Sequence, residues 1–349
     1  MRRRHVLTAA AGIAAAGIAA KVLYDSSDEI LTAADTLTQL RPGWVVLALV
    51  AEVVSYLLRG RAQAVVLRAG LAGLGPGPGA APGAATRPAK GPGSVLMGSA
   101  TLAGDAAAYC LPMGFAASGV IMIGVLRRRG VDAAVASWMF AICTGLYVGS
   151  ISVMTIVAVR VAGDEDPVPG LEEASTFLLV GLAVLAAVLL VLRRTRAGRP
   201  ERAVRSGRVR TWLAELRAIR LPALTGASAF AWMTGSWLAD IAVLGIAYVA
   251  VGASPPWTGL LLAYCAGQIA AAVPLTPGGI GVVEGSLTLA LVAFGGAATI
   301  TLAAVLLYRL IAYWSCIPLG GLTWLALRRR APEPRPVATA DEPAVARRP

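Results

Sequence analysis

The stretch from Pro274 to Gly285, PLTPGGIGVVEG, has the composition of a broken helix that can receive an anion. Pro274 and Pro277 remove backbone donors, while Gly278, Gly279 and Gly281 let the chain bend without a Cβ clash. A helix that restarts after such a break presents free N–H groups and the positive end of its dipole. Glu284 follows one turn later. The stretch lies inside a long apolar run, and unwound backbone survives at membrane depth only where protein or a wet cavity surrounds it. A carboxylate there marks a functional site by default. The plainer alternative is a packing kink with Glu284 near an interface.

Other charged residues also sit within apolar runs. Arg309, in Tyr308-Arg309-Leu310, is the one basic residue deep in such a run. Glu284 or Asp240 is its candidate partner, and either pair serves a static ion pair as well as a phosphate contact. Asp105 stands one turn before a second break, Pro112-Met113-Gly114. Glu52 can pair with Arg59 two turns on, or snorkel. Trp237 beside Asp240 reads as an interfacial anchor. No hydrolytic triad, Walker loop, Rossmann glycine pattern or metal box occurs, so no catalytic residue, metal or cofactor is expected. The cysteines Cys110, Cys143, Cys265 and Cys316 lie singly in apolar runs and read as free packed thiols.

The elements that carry these residues follow from composition. Of 349 residues, 57% are hydrophobic and 14% charged, against about 25% charged in soluble domains. The fold class expected is all-α: a polytopic membrane helix bundle. The apolar runs are 6–24, 44–67, 95–126, 132–161, 174–192, 222–250, 257–296 and 298–327. Residues 1–327 form one transmembrane domain. Within it, 69–93 reads as a Gly/Pro loop and 193–220 as a basic, cytoplasmic interfacial segment suited to anionic headgroups. Residues 328–349 read as a disordered basic tail. The segment before Val22 resembles a signal peptide but reads better as an uncleaved first helix.

The net charge of +12 suits the positive-inside rule better than nucleic-acid binding. Arg59, Arg61 and Arg68, Arg127 to Arg129, the ten arginines of 193–220 and Arg328 to Arg330 are all placed inside. Run 95–126 must then enter from the inside and return there, and run 257–296 must do so from the outside. Each is broken near its middle. Two broken hairpins from opposite faces are the signature of an inverted repeat with a site near the midplane. The expectation is about six crossings plus two re-entrant hairpins, with both termini cytoplasmic. If both hairpins cross fully, the count is ten.

These residues resemble a known family. Ala263 to Gly285, AYCAGQIAAAVPLTPGGIGVVEG, followed by LTLALVAFG from Leu287, resembles the signature of the lysylphosphatidylglycerol synthase transmembrane-region family, or flippase-like integral membrane proteins. Trp237-Leu238-Ala239-Asp240 and Tyr308-Arg309-Leu310, with Trp314 and Pro318, are similar to further family motifs. Leu111 to Ser118 resembles the family's Pro-x-Gly hairpin, with Met113 and Phe115 where small residues are expected. The resemblance covers about residues 40–327. It implies a membrane part that moves or binds phospholipid headgroups, without the synthase domain. It adds Pro112, Gly114 and Ser118 to the substrate-contact candidates Pro277, Gly278, Gly279, Gly281, Glu284, Asp240 and Arg309.

Three functions compete. A translocase would carry a phospholipid or polyprenyl headgroup between leaflets of the cytoplasmic membrane. An accessory subunit would dock a lipid-modifying glycosyltransferase through 193–220. An intramembrane enzyme would use paired carboxylates on a polyprenyl-phosphate sugar.

Overall fold

A computed structural model describes residues 40–73, 91–110, 114–162, 221–272 and 279–329. The described residues form helices and connecting turns, with no strand among them. The helices are α1 (Pro42–Gly73), α2 (Ser94–Cys110), α3 (Gly114–Arg127), α4 (Ala133–Ala162), α5 (Ala223–Ala250), α6 (Trp257–Ala272), α7 (Val282–Ala293), α8 (Ala298–Arg309) and α9 (Cys316–Arg329). A π-helical turn, Leu310–Trp314, joins α8 to α9. The expected spans 6–24 and 174–192, the basic segment 193–220 and the tail beyond Arg329 lie outside the described residues.

Four stretches are long and apolar enough to cross a membrane: Pro42–Ala72, Ala133–Val161, Ala223–Ala250 and the α8–α9 unit, Ala298–Arg329. The other four helices are too short. α2 and α3 have 17 and 14 residues, about 25 and 21 Å at 1.5 Å per residue. α6 and α7 have 16 and 12, about 24 and 18 Å. A hydrocarbon core of about 30 Å exceeds each of them.

The short helices fold back in pairs. Gly104 of α2 faces Ser118 of α3, and a Cβ on Gly104 would stand 2.5 Å from the Ser118 hydroxyl. Gly259 of α6 faces Phe294, and Gly267 faces Leu287 of α7. In each pair residue numbers rise on one helix as they fall on the other, so both are antiparallel hairpins. The turn of the first is closed by Gly114, whose added Cβ would meet the Ala108 carbonyl oxygen at 1.9 Å.

The described chain therefore divides into two halves of like order, long helix, hairpin, long helix. The halves run in opposite directions. The α1 and α5 helices pack along their length. Arg41 N–H donates to the Ala250 carbonyl (3.1 Å), Ser55 hydroxyl to the Ser236 carbonyl (3.0 Å), and Arg61 lies over Trp232. Those pairings fix an antiparallel register. The last helix of each half supports the other half's hairpin: α9 packs on α2, and α6 on α4. The inverted repeat expected from the loop charges is the observed architecture.

The antiparallel register also sorts the loops. The α1 C-terminus, the Arg127–Gly130 turn, the α5 N-terminus and Arg328–Arg329 lie at one end of the bundle. The Arg41 start, the Gly252–Pro256 connection and the Gly295–Gly296 turn lie at the other. Hairpin α2–α3 enters from the first end and α6–α7 from the second.

Two expectations on element ends are corrected. Residues 69–73 continue α1 rather than opening the loop, because Gly70 allows contact with Trp138 and Val135, 3.1 Å from where a Cβ would sit. The last run is not one regular helix. Ser315 N–H donates to the Leu310 carbonyl, five residues back, at 3.0 Å. Pro318, which lacks an N–H, cannot accept a regular turn in that register.

Along α1, α4 and α5 the buried side chains are layered. One apolar cluster takes Ala48, Met154 and residues 241–250. The other takes Ala62 to Leu67, Val135 to Cys143, Ala229 and Met233. Between them, on the same helices, fall Glu52, Ser55, Tyr56, Arg59, Tyr147, Ser150, Ser236 and Asp240. The bundle is thus apolar at both ends and polar in a middle layer.

Candidate functional site

Among the described residues the polar layer contains two ion pairs. In the second half, Arg309 Nε stands 2.7 Å from Glu284 Oε1, both side chains largely buried. The other carboxylate oxygen of Glu284 accepts from the Gly281 N–H at 2.7 Å. Gly279 and Gly281 have φ of 71° and 81°, the left-handed region that glycine enters without strain. These two residues turn the chain so that α7 starts with the Gly281 N–H aimed at the Glu284 carboxylate. The sequence left Arg309 with two candidate partners, and the structure selects Glu284.

Asp240 takes a different role. Its Oδ2 accepts from the Tyr308 hydroxyl at 3.1 Å and from the Tyr264 hydroxyl. Glu52 of α1 lies near it, and Glu52 Oε2 is buried with no partner among the described residues. Glu52 does not pair with Arg59, as the spacing suggested. Tyr308 and Arg309 are adjacent in sequence, yet they reach different partners, Asp240 and Glu284.

In the first half, Arg59 Nη1 donates to Asp105 Oδ2 at 2.9 Å. Its guanidinium lies 4.8 Å from the Tyr147 ring centroid and 5.4 Å from that of Tyr56. The sequence placed Arg59 with the loop arginines; its side chain instead turns into the bundle. A close backbone approach makes this possible. A Cβ on Gly60 would stand 2.3 Å from the Ser94 carbonyl oxygen. The glycine lets α2 press against α1 and carry Asp105 to the arginine.

Aromatic rings join the two pairs. Arg309 sits 4.0 Å over the Tyr313 ring. Tyr313 packs against Tyr109 at 4.2 Å between centroids and donates to the Tyr109 carbonyl at 3.4 Å. Tyr109 lies one turn beyond Asp105, at the tip of α2. Among the described residues, Tyr313 and Arg309 link Tyr109 at the end of α2 to Glu284 at the start of α7. Tyr313 follows Arg309 by four residues, which places it on the same helix face. Trp237 is not an interfacial anchor: it is 3% exposed, stacks on Tyr147 and donates to Ser150 Oγ at 3.1 Å.

Gly279, Gly281, Glu284, Asp240 and Arg309 thus gather around the α7 start and α8. Gly114 closes the first hairpin. Ser118 is placed in the α2–α3 seam against Gly104, away from the arginines. Pro112, Pro277 and Gly278 lie outside the described residues. Of the thiols, Cys110 is exposed, whereas Cys143, Cys265 and Cys316 are buried as expected. The residues missed as a group are Tyr56, Arg59, Tyr109, Tyr147, Tyr264 and Tyr313. A signal for some of them existed: Glu52, Ser55, Tyr56 and Arg59 fall at i, i+3, i+4 and i+7, one polar stripe on an apolar helix. Among the described residues no cluster of His, Cys, Asp and Glu is arranged to hold a metal ion.

Four long apolar helices, two opposed hairpins and a charged layer between apolar layers define a multi-pass membrane protein with an internal polar site. The sequence pattern of the lysylphosphatidylglycerol synthase TM region matches residues 9–320, and the chain belongs to that family. It is also similar to a UPF0104 membrane protein of Methanothermobacter thermautotrophicus, 33% identical over 79 residues. That match covers 23% of this chain and spans only 22% of the archaeal protein's length.

Proposed function

We propose that this protein binds the anionic headgroup of a phospholipid or polyprenyl lipid between its two hairpin tips and passes it between leaflets. The observation that carries this is the donor set at the start of α7. The Arg309 guanidinium and the Gly281 N–H both converge on the Glu284 carboxylate. A phosphate has the same sign and accepts from the same donors, so Glu284 holds the place that a headgroup would take. Displaced, the carboxylate can turn to an amine or a proton of the incoming lipid. Asp240, held by Tyr264 and Tyr308, is a second acceptor beside the path. Membership in the family supports a lipid as the ligand.

The orientation of this reading is that the arginine-rich end, with Arg68, Arg127 to Arg129, Arg328 and Arg329, faces the cytoplasm of the bacterial cell membrane. The basic segment 193–220 would then meet anionic headgroups of the inner leaflet, and there an accessory role toward a lipid-modifying enzyme would be played.

The test is a vesicle assay with the purified chain and fluorescent phosphatidylglycerol, read by accessibility to an external quencher. Wild type should equilibrate the lipid between leaflets. Arg309→Gln and Glu284→Gln should slow it about tenfold or more, since one lost charged contact is worth about 1.5–3 kcal/mol. Equal rates in wild type and both variants would overturn the assignment.

A further inference from the structure

We propose that Arg59 is a second anion station, which takes the phosphate of the same class of headgroup in the first half of the repeat as Arg309 does in the second. The proposal rests on the reading of Arg309 above. Its ground is a match of construction between two sites that share no sequence.

Each station has an arginine on a long helix, held by one carboxylate from the neighbouring half-length helix. Arg59 of α1 meets Asp105 of α2 at 2.9 Å, and Arg309 of α8 meets Glu284 of α7 at 2.7 Å. Both guanidinium groups lie against aromatic rings: Tyr56 and Tyr147 for Arg59, Tyr313 for Arg309. Aromatic faces fix the plane of a guanidinium and leave its edge for a planar or tetrahedral oxyanion. For Arg59 that edge is not fully used. Nη1 donates to Asp105, and Nε lies 3.4 Å from Ser236 Oγ, while Nη2 has no hydrogen-bond partner among the described residues. The Tyr56 hydroxyl, 3.4 Å from Asp105 Oδ2, adds a neutral donor at the same place.

The stations are contiguous. Asp105 and Tyr109 are one turn apart on α2, about 6 Å along the axis. Tyr109 touches Tyr313, over which Arg309 sits. Aromatic surface, Tyr313 and Tyr109, thus lies between the two cations. Each arginine already has a carboxylate, so as an arriving phosphate takes the arginine's edge the tethered carboxylate takes up a proton or turns to a cation, which keeps the layer from gaining a net buried charge. The hairpins enter from opposite ends of the bundle, so each station belongs to the hairpin of one face.

The experiment counts bound molecules on the full chain by native mass spectrometry in nonionic detergent, with dihexanoylphosphatidylglycerol as the probe. Inorganic phosphate in a parallel arm separates recognition of a lipid headgroup from recognition of the free anion. At saturating probe, wild type should hold two molecules, and Arg59→Gln and Arg309→Gln should each hold one. The pair Arg59→Gln/Asp105→Asn, which strands no charge, should also hold one and serves if the single variant does not fold. Two molecules retained in both Arg59 variants would overturn the second station. None retained in both would also overturn it, because Arg59 would then only support the Arg309 site. Two molecules retained in Arg309→Gln, with one in Arg59→Gln, would instead defeat the reading of Arg309 and leave Arg59 standing. Phosphate filling both stations as readily as the lipid would assign them to the free anion.

Discussion

At the residue scale the described bundle holds two buried ion pairs whose members come from far apart in sequence. Arg59 and Asp105 are 46 positions apart, and Glu284 and Arg309 are 25 apart. Removing one member leaves the other buried and uncompensated, which costs about 3–5 kcal/mol, whereas replacing both by apolar groups is often near neutral. Asp105→Ala should therefore lower the thermal midpoint in detergent markedly. The double variant Asp105→Leu/Arg59→Met should recover most of that loss. A double variant as unstable as the single one would show that the pair does not act as a unit. The partners were not legible in the sequence. Spacing along a helix pairs Glu52 with Arg59, but the α1–α2 contact through Gly60 supplies Asp105 first, and Glu52 is left to Asp240 on α5.

At the element scale the hairpin turns were the most legible parts, because proline and glycine announce where a helix cannot continue. Their tolerances follow from space. Gly114→Ala would set a Cβ 1.9 Å from the Ala108 carbonyl oxygen, while Gly124 on the same helix has nothing within 4 Å. Gly114→Ala should lose most of the monodisperse protein on size exclusion, and Gly124→Ala should behave as wild type. Gly281, at φ 81°, should respond more mildly. Gly281→Ala should cost about 1–2 kcal/mol for the left-handed conformation and reduce lipid transfer, because a backbone drawn out of that conformation no longer aims its N–H at Glu284. The π turn at Leu310–Trp314 was not legible, since Trp314 and Pro318 read only as motif residues. Its Tyr313 meets Tyr109 of α2, far away in sequence.

At the scale of the whole molecule, two halves of opposite direction share one polar layer. The antiparallel α1–α5 register puts the α3–α4 turn and the α7–α8 turn at opposite ends. In a background lacking the four native cysteines, a cysteine at Asp132 and one at Gly295 should report opposite sides. An impermeant maleimide added to intact cells should label Gly295→Cys and should reach Asp132→Cys only after permeabilisation. Labelling of both from one side would overturn the inverted arrangement. The native thiols provide a second check: under mild conditions maleimide should modify Cys110, the exposed one, ahead of Cys143, Cys265 and Cys316.

The sequence by itself determined that the chain is a helical membrane protein, where the four described long helices run, and that two of its apolar runs turn back. Each of these depends on local quantities: apolar length, proline and glycine at a break, and arginines in short loops. It also singled out Glu284, Arg309 and Asp240, because a charge in a hydrocarbon-length run is conspicuous. Only the tertiary structure decided who meets whom. It gave Arg309 to Glu284 rather than Asp240, drew Arg59 from the loop arginines to Asp105, turned Trp237 from the interface into the core, and joined the hairpin tips through Tyr109 and Tyr313. The physical reason is that burial cost is local, whereas its compensation is not. A charge shows itself in its own segment, but its partner is set by which helices approach closely enough, and in this fold small residues such as Gly60 and Gly114 set that approach.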